Sequence, residues 1–410
     1  MQGDKVKVIT FGCRLNSYES EVIKDILLKN DVFAFTSQKI VIFNSCAVTK
    51  EAERQLCQSI RRAKKEGGDG ILIGVVGCAV QVNKGFYASM PEVDFIIGNN
   101  LKLELSSYTN ITNNPVVVQN DLQNKRNLNH IISGFENKSR AFVQIQNGCN
   151  NQCSFCLTRL ARGKSISLNP KMVIEQIKKL VDSGYKEIVL TGINIGDYGS
   201  DFEEKLNLGI LIEKILQKTS IERLRLSSLD IACLNNETLD VIKGEDRLMP
   251  HLHLSLQSGD NMILKRMMRR HTREDVFDIC SEILSSRPNV VFGADFIAGF
   301  PTETEDMHKN SLEVIEKVPI TYGHIFPYSE RSGTKAALMP QLPKNIRKSR
   351  AKELRNLAEF NMNKLRNSLL GTKQKVLIET KNLGRLENYL QVNLEGDFER
   401  NIGEILEVVV

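Results

Sequence analysis

The chain is 410 residues long, 41% hydrophobic and 25% charged, with 55 Lys and Arg against 49 Asp and Glu. That length suffices for two to three domains, and the composition excludes a wholly disordered or collagen-like chain. No run approaches the roughly 18–20 apolar residues that span a bilayer, and the opening MQGDKVKVITFGC carries no apolar leader, so no membrane partner and a cytoplasmic location are expected.

The first hundred residues alternate strand and helix patterns. The runs VKVITFG, IVIFNSC and ILIGVVGC are each followed by a helix-compatible stretch, which predicts an α/β chain opening on a doubly wound parallel sheet over residues 1–105. Residues 106–139 are polar and Asn-rich, including NITNN and NDLQNKRNLN, and read as a linker with one short strand at PVVVQ. A second βα series then begins with AFVQIQ and continues through EIVLTG, RLRLSS, HLHLSL and VVFGADFIAG. It predicts a full or partial (β/α) barrel over 140–343, with function at the carboxyl ends of its strands. A basic helical connector follows at 344–370. The runs KVLIET, YLQVNL and GEILEVVV in 371–410 predict a small antiparallel β-barrel of the oligonucleotide-binding kind.

Charge is unevenly spread. Ten Lys and Arg lie between Lys344 and Lys375, opposed only by Glu353 and Glu359, so this stretch carries +8 in a chain whose net charge is +6. A second knot, KRMMRRHTR, holds Lys265, Arg266, Arg269, Arg270 and Arg273. Each is either a solvated helix face or a phosphate-binding surface for nucleic acid.

Nine cysteines in a chain expected in the cytoplasm point to metal or redox chemistry rather than a disulfide framework. The run QNGCNNQCSFC supplies Cys149, Cys153 and Cys156 on one tight loop, with no second CxxC knuckle to complete a zinc site. Three thiolates at that spacing suit a cubane iron–sulfur cluster and leave one iron open to another ligand. Cys13, Cys46 and Cys78 follow the first three predicted strands at intervals of 33 and 32 residues, one βα unit each. Parallel strands present their carboxyl ends along one sheet edge, so these thiols are expected to converge as a second ligand set. Cys57, Cys233 and Cys280 share no such pattern and are expected to pack as small apolar residues.

With CxxxCxxC after a strand that opens an α/β barrel, the chain resembles the radical S-adenosylmethionine (SAM) enzymes. The runs TFGCRLNSYESE, FNSCAVTKEAERQ, VGCAVQ with PEVDFIIGN, TGINIGDYG, LHLSLQSGDNMILKRMMRRHT, DFIAGFPTET and HIFPYSERSGTKAALMPQ narrow the resemblance to the methylthiotransferases, over nearly the whole chain. TFGCRLN and PYSERSGTKAA look most like the enzymes that modify N6-threonylcarbamoyladenosine next to the anticodon of tRNA. Sister enzymes act on isopentenyladenosine in tRNA or on a ribosomal-protein aspartate. The chain departs from the family pattern at Leu157–Thr158, at Ile166 and at Ala79–Val80 after the third N-terminal cysteine.

The resemblance implies a methylthiotransferase domain with an auxiliary 4Fe–4S cluster on Cys13, Cys46 and Cys78, and a radical-SAM barrel with a second 4Fe–4S cluster on Cys149, Cys153 and Cys156. A C-terminal TRAM domain for binding RNA would complete the chain. SAM would chelate the open iron of the second cluster, and its reductive cleavage would yield a radical able to take hydrogen from carbon 2 of the adenine. The auxiliary cluster would hold the sulfur, methylated by a second SAM. The glycines of TGINIGDYG (Gly192, Gly196, Gly199) would let backbone approach a ligand closely, and Asn194 could hydrogen-bond SAM by resemblance. Gln257, ending LHLSLQ, is expected to reach ligand at the barrel mouth, and His253 to be a wall residue. The expected partners are the tRNA anticodon stem-loop and an unidentified electron donor. Tyr389, placed on a terminal strand, is a candidate for base stacking, and no catalytic side chain is singled out. A methylthiotransferase for isopentenyladenosine, a non-enzymatic iron–sulfur RNA-binding protein and a plain electron carrier are the alternatives.

Overall fold

The computed structural model describes the chain apart from residues 1–4, 35, 48, 110, 112–115, 118–127, 129 and 137. It divides into two compact units, one of Met1–Ser133, Asn147–Asn151 and Cys156–Leu168, the other of Gly134–Gln146, Gln152–Phe155 and Asn169–Val410.

The first unit is built on a five-stranded parallel sheet whose order follows the chain: Val6–Thr10, Lys39–Ser45, Ile71–Gly77, Phe95–Gly98 and Val116–Val117. There is no reversal of strand order, unlike the usual doubly wound sheet. Helices still cover both faces. Ser20 of the helix Arg14–Lys29 bonds Thr10 and Asn44. Leu56 and Ile60 of the helix Lys50–Gly67 pack with Phe43, Ile73 and Val75 on the opposite side. Phe43 and Asn44 are neighbours in one strand, so their side chains leave by opposite faces. Val116–Val117 of the expected linker adds the fifth strand to this sheet; most of the rest of that polar segment lies outside the described residues.

In the second unit, six parallel strands run in chain order: Ala141–Gln144, Glu187–Thr191 and Arg223–Leu226, then His251–Gln257, Val291–Ala298 and Ile320–Pro327. They form two three-stranded sheets joined by the single bridges Leu224–Leu248 and Leu229–Leu254. Side-chain caps start the intervening helices: Asn169, Asn207, Asn235, the Thr272/Asp275 capping box and Thr304. Each cap satisfies an amide that the first helical turn leaves unbonded.

The connector is a helix from Lys344 to Leu369, against the last barrel strand. Only part of its charge is a solvated face. Arg350 is buried against Glu303 and Glu305, Arg347 donates to the carbonyls of Leu342 and Tyr328, and Arg355 donates to that of Ile325. Lys344, Lys348, Lys352, Lys364, Arg366, Lys373 and Lys375 are exposed. The second basic knot is mostly turned inward. Arg266 donates to Thr302 O, Arg269 to Asp230 and Ser255 O, Arg270 to Cys233, and Arg273 to Asn310 and Glu313.

The last forty residues form a four-stranded antiparallel sheet in the order Gln391–Asn393, Leu383–Leu386, Lys373–Thr380 and Ile405–Val409, over a core of Val376, Ile378, Leu386, Leu390 and Leu394. The barrel holds this sheet through two buried arginines. Arg223 donates to the carbonyls of Lys375 and Arg385, and Arg225 to those of Leu386 and Glu387. Tyr389 is not on a strand. It lies in the turn after Leu386, with its ring stacked on His251 at 4.6 Å and 18° and flanked by the guanidinium groups of Arg140, Arg225 and Arg385. That ring is already occupied by protein, which corrects its expected role in base stacking.

Candidate cluster and cofactor sites

Cys13, Cys46 and Cys78 lie at the carboxyl ends of three adjacent parallel strands. Cys13 immediately precedes the helix at Arg14 and is exposed, while Cys46 and Cys78 are buried. The loops are drawn close by small residues and by one amide. Gly12 has φ +102, and a Cβ there would meet Cys46 Sγ at 2.8 Å, so only glycine fits beside that thiol. Asn16 Nδ2 donates to Phe11 O at 2.7 Å and to Ser45 O at 3.0 Å, tying the first loop to the second. Ser45 Oγ accepts from Ala79 N at 3.1 Å, which fixes the third loop, and Cys78 packs with Ala47 and Ala161. Three thiols on one sheet edge are the donor set that an iron–sulfur cluster prefers.

Beneath this edge is a buried ion network that sequence reasoning missed. Arg162 forks onto Glu19 at 2.8 and 2.9 Å and bonds Asn147 Oδ1 at 3.1 Å. Lys102 Nζ donates to Glu19 at 2.6 Å and to Asn44 at 3.0 Å. All three charged side chains are at most 2% exposed. Burial works against ionisation of Glu19, but the charges of Arg162 and Lys102 outweigh it and hold the carboxyl at about 2. Burial also works against the charge on Arg162, yet the negative groups at Cys78, Glu19 and Cys13 together push its pKa well up. The network thus sets two buried cations, Arg162 and Lys102, around one carboxylate beside the trio. No local pattern signals it, because Glu19, Lys102 and Arg162 lie far apart along the chain.

In that motif each cysteine has local support. Cys149 N donates to Gly163 O at 3.0 Å, and Thr158 lies against Cys156 Sγ through its backbone N at 3.4 Å and its hydroxyl at 3.1 Å. Arg269 directs a guanidinium nitrogen at Cys153 Sγ from 3.8 Å. The next residue, Ser154, is pinned to the carbonyls of Arg266 and Met267. Charge and hydrogen bonds at sulfur stabilise thiolate and tune any metal it ligates.

Among the residues expected to meet SAM, Gly192 and Asn194 share a turn held by Gln146, whose Oε1 accepts from the amides of Ile193 and Asn194 at 3.0 Å each. The space a side chain would need at Gly192 is filled by Gln146 and Ile195. Asn194 is buried, and its Nδ2 lies 3.6 Å from Cys233 Sγ. Cys233, expected to be plain core, bonds both Asn194 and Arg270 Nη2, the latter at 3.0 Å, which corrects that reading. Cys280 is fully buried as expected, and burial pushes its thiol up to about 12. Gln257 ends its strand at a register shift with φ +71, a left-handed conformation that costs a non-glycine residue about 1–3 kcal/mol and persists where the surroundings impose it.

Comparison with known proteins follows this division. Residues 143–315 match the radical SAM superfamily, and residues 5–98 match the family described as Uncharacterized protein family UPF0004. The radical S-adenosylmethionine methyltransferase TsrM from Kitasatospora setae, solved with cobalamin and a 4Fe–4S cluster, superposes with a TM-score of 0.57 at 13% identity, over 82% of this chain and 74% of that one, a likeness of fold. The threonylcarbamoyladenosine tRNA methylthiotransferase MtaB of Rickettsia prowazekii (strain Madrid E) is 45% identical over 95% of this chain and 91% of its own length. That of Aquifex aeolicus (strain VF5) is 34% identical over 99% and 100%. Identity at this level along the whole length, with both cysteine trios in place, means that the chain belongs to the radical-SAM methylthiotransferases, a family of 4Fe–4S and SAM-dependent enzymes.

Proposed function

We propose that the chain adds a methylthio group to carbon 2 of N6-threonylcarbamoyladenosine in tRNA, next to the anticodon. The observation that carries this is the full-length identity to relatives named for that nucleoside, in a chain that carries both cysteine trios. In this reading Cys149, Cys153 and Cys156 hold the cluster that binds SAM, and Cys13, Cys46 and Cys78 hold the auxiliary one. When bound, these groups supply the radical and sulfur chemistry that an adenine C–H bond of no useful acidity requires.

The chain's own residues bind and orient. Arg269 and Thr158 bring positive charge and donors to Cys153 and Cys156, and Arg162 and Lys102 bring positive charge near Cys78 of the auxiliary trio. Gln146 fixes the turn carrying Gly192 and Asn194, so that Asn194 and Gln257 are the groups proposed to contact SAM. The exposed cations Lys348, Lys352, Lys364 and Arg366 would take phosphates of the anticodon stem-loop, with the terminal sheet acting as a TRAM-like partner. No helix among the described residues is long and apolar enough to cross a membrane; the proposed place of action on tRNA is the cytoplasm. An electron donor of unassigned identity would reduce the SAM-binding cluster.

Mass spectrometry of tRNA nucleosides from a deletion strain tests the substrate. The methylthio mark should vanish from threonylcarbamoyladenosine and remain on the isopentenyl nucleoside; the opposite pattern would overturn the assignment. Gln257→Gly tests the SAM contact. Glycine accepts the positive φ without strain, so the variant should gain about 1 kcal/mol of stability while its SAM affinity falls. Unchanged affinity would remove Gln257 from the site.

A further inference from the structure

Three neighbouring barrel strands carry a second group of metal-ligating side chains, apart from every cysteine. In the register of His251–Gln257, Val291–Ala298 and Ile320–Pro327, His253 lies opposite Gly293 and Asp295 lies opposite His324. His253 Nε2 lies 3.0 Å from Asp295 Oδ1, and His324 Nδ1 lies 3.4 Å from the same oxygen. All three candidate donor atoms are within 4.8 Å of one another. Ligands held about 2.0–2.2 Å from one ion at tetrahedral or octahedral angles stand about 3.0–3.5 Å apart, which both measured separations match.

Two further facts point to a cation. Asp295 is three-quarters buried, yet among the described residues no Lys or Arg nitrogen lies within 4.0 Å of its carboxylate; its only partners are the two imidazoles. Buried carboxylates are paired with positive charge or coordinate metal. Gly293 supplies the room: a Cβ there would lie 2.6 Å from His253 Nδ1, so any larger residue would push the ring off the carboxylate. Two imidazoles and one carboxylate are donors of intermediate softness, suited to first-row divalent ions rather than to calcium or magnesium.

We propose that His253, Asp295 and His324 form a binding site for one divalent transition-metal ion, zinc or iron(II) in class, separate from both cysteine trios. Three protein ligands leave a coordination position open. The exposure of His324 places the site within reach of solvent, where water or an oxygen-donor ligand can complete the shell.

The test uses full-length protein with its cysteines occupied by iron–sulfur clusters, prepared anaerobically and dialysed against micromolar zinc. One zinc per chain should be retained, and X-ray absorption at the zinc edge should show nitrogen and oxygen neighbours only. Because His324 is exposed, His324→Ala should fold normally, and it should lower zinc affinity about 10–100-fold with iron content unchanged. Asp295→Asn, nearly isosteric, should do the same. Absence of retained zinc, sulfur in its first shell, or undiminished affinity in both variants would overturn the proposal.

Discussion

Cys153→Ala is expected to abolish reductive SAM cleavage, with 5′-deoxyadenosine falling to background, while iron drops from about eight to about four atoms per chain. The second number separates the two sites. Cys153 is the middle cysteine of its loop, and Ser154 beside it is tied to the carbonyls of Arg266 and Met267, so the backbone should hold its course when the sulfur is removed. The auxiliary trio draws its order from Gly12, Asn16 and Ser45, none of which depends on Cys153. Iron analysis and a single-turnover SAM assay on the anaerobically reconstituted variant check this. Continued SAM cleavage would mean that the radical-forming cluster is held elsewhere.

Glu19→Ala should be among the most destabilising single changes in the first unit. It leaves Arg162 and Lys102 buried and facing each other without their shared anion, and breaking such a pair costs about 3–5 kcal/mol. Arg162→Leu should cost less, since Glu19 keeps Lys102. The acid limb supplies an independent sign. The folded-state pKa of Glu19, about 2, lies below its ordinary value of 4.5, so its contribution is full above 4.5 and is lost as pH falls from there toward 2. Denaturant unfolding followed by circular dichroism across that range should show a falling limb in the native chain that is shallower in Glu19→Ala. Equal slopes would show that the carboxylate is not ionised in the fold.

Much of this was legible in the sequence because it follows from periodicity and spacing. The strands VKVITFG, IVIFNSC and ILIGVVGC and the barrel runs fall where alternation and turn residues put them, and the placement of Cys13, Cys46 and Cys78 follows from the βα period. The helix Lys344–Leu369 was legible as a basic segment, but not the inward turn of Arg347 and Arg350, because charge along a chain does not reveal what lies opposite it in space. LGRL at 383–386 is too short and glycine-broken to stand out as a strand. Tyr389 was misplaced for a related reason: its stacking partner His251 lies 138 positions away, and no local pattern joins them. RLRL did hold a signal in retrospect. Alternating arginines on a strand covered on both faces need interior acceptors, and the terminal sheet provides them.

That last contact sets how the terminal sheet can behave. With two guanidinium groups of the barrel plugged into its backbone carbonyls, it is no tethered hook swinging on a flexible arm. In the proposed role it would work as a fixed ruler, presenting any nucleic acid it grips to the barrel at one set reach, so that lengthening the anticodon stem by a base pair should carry the target nucleotide out of register.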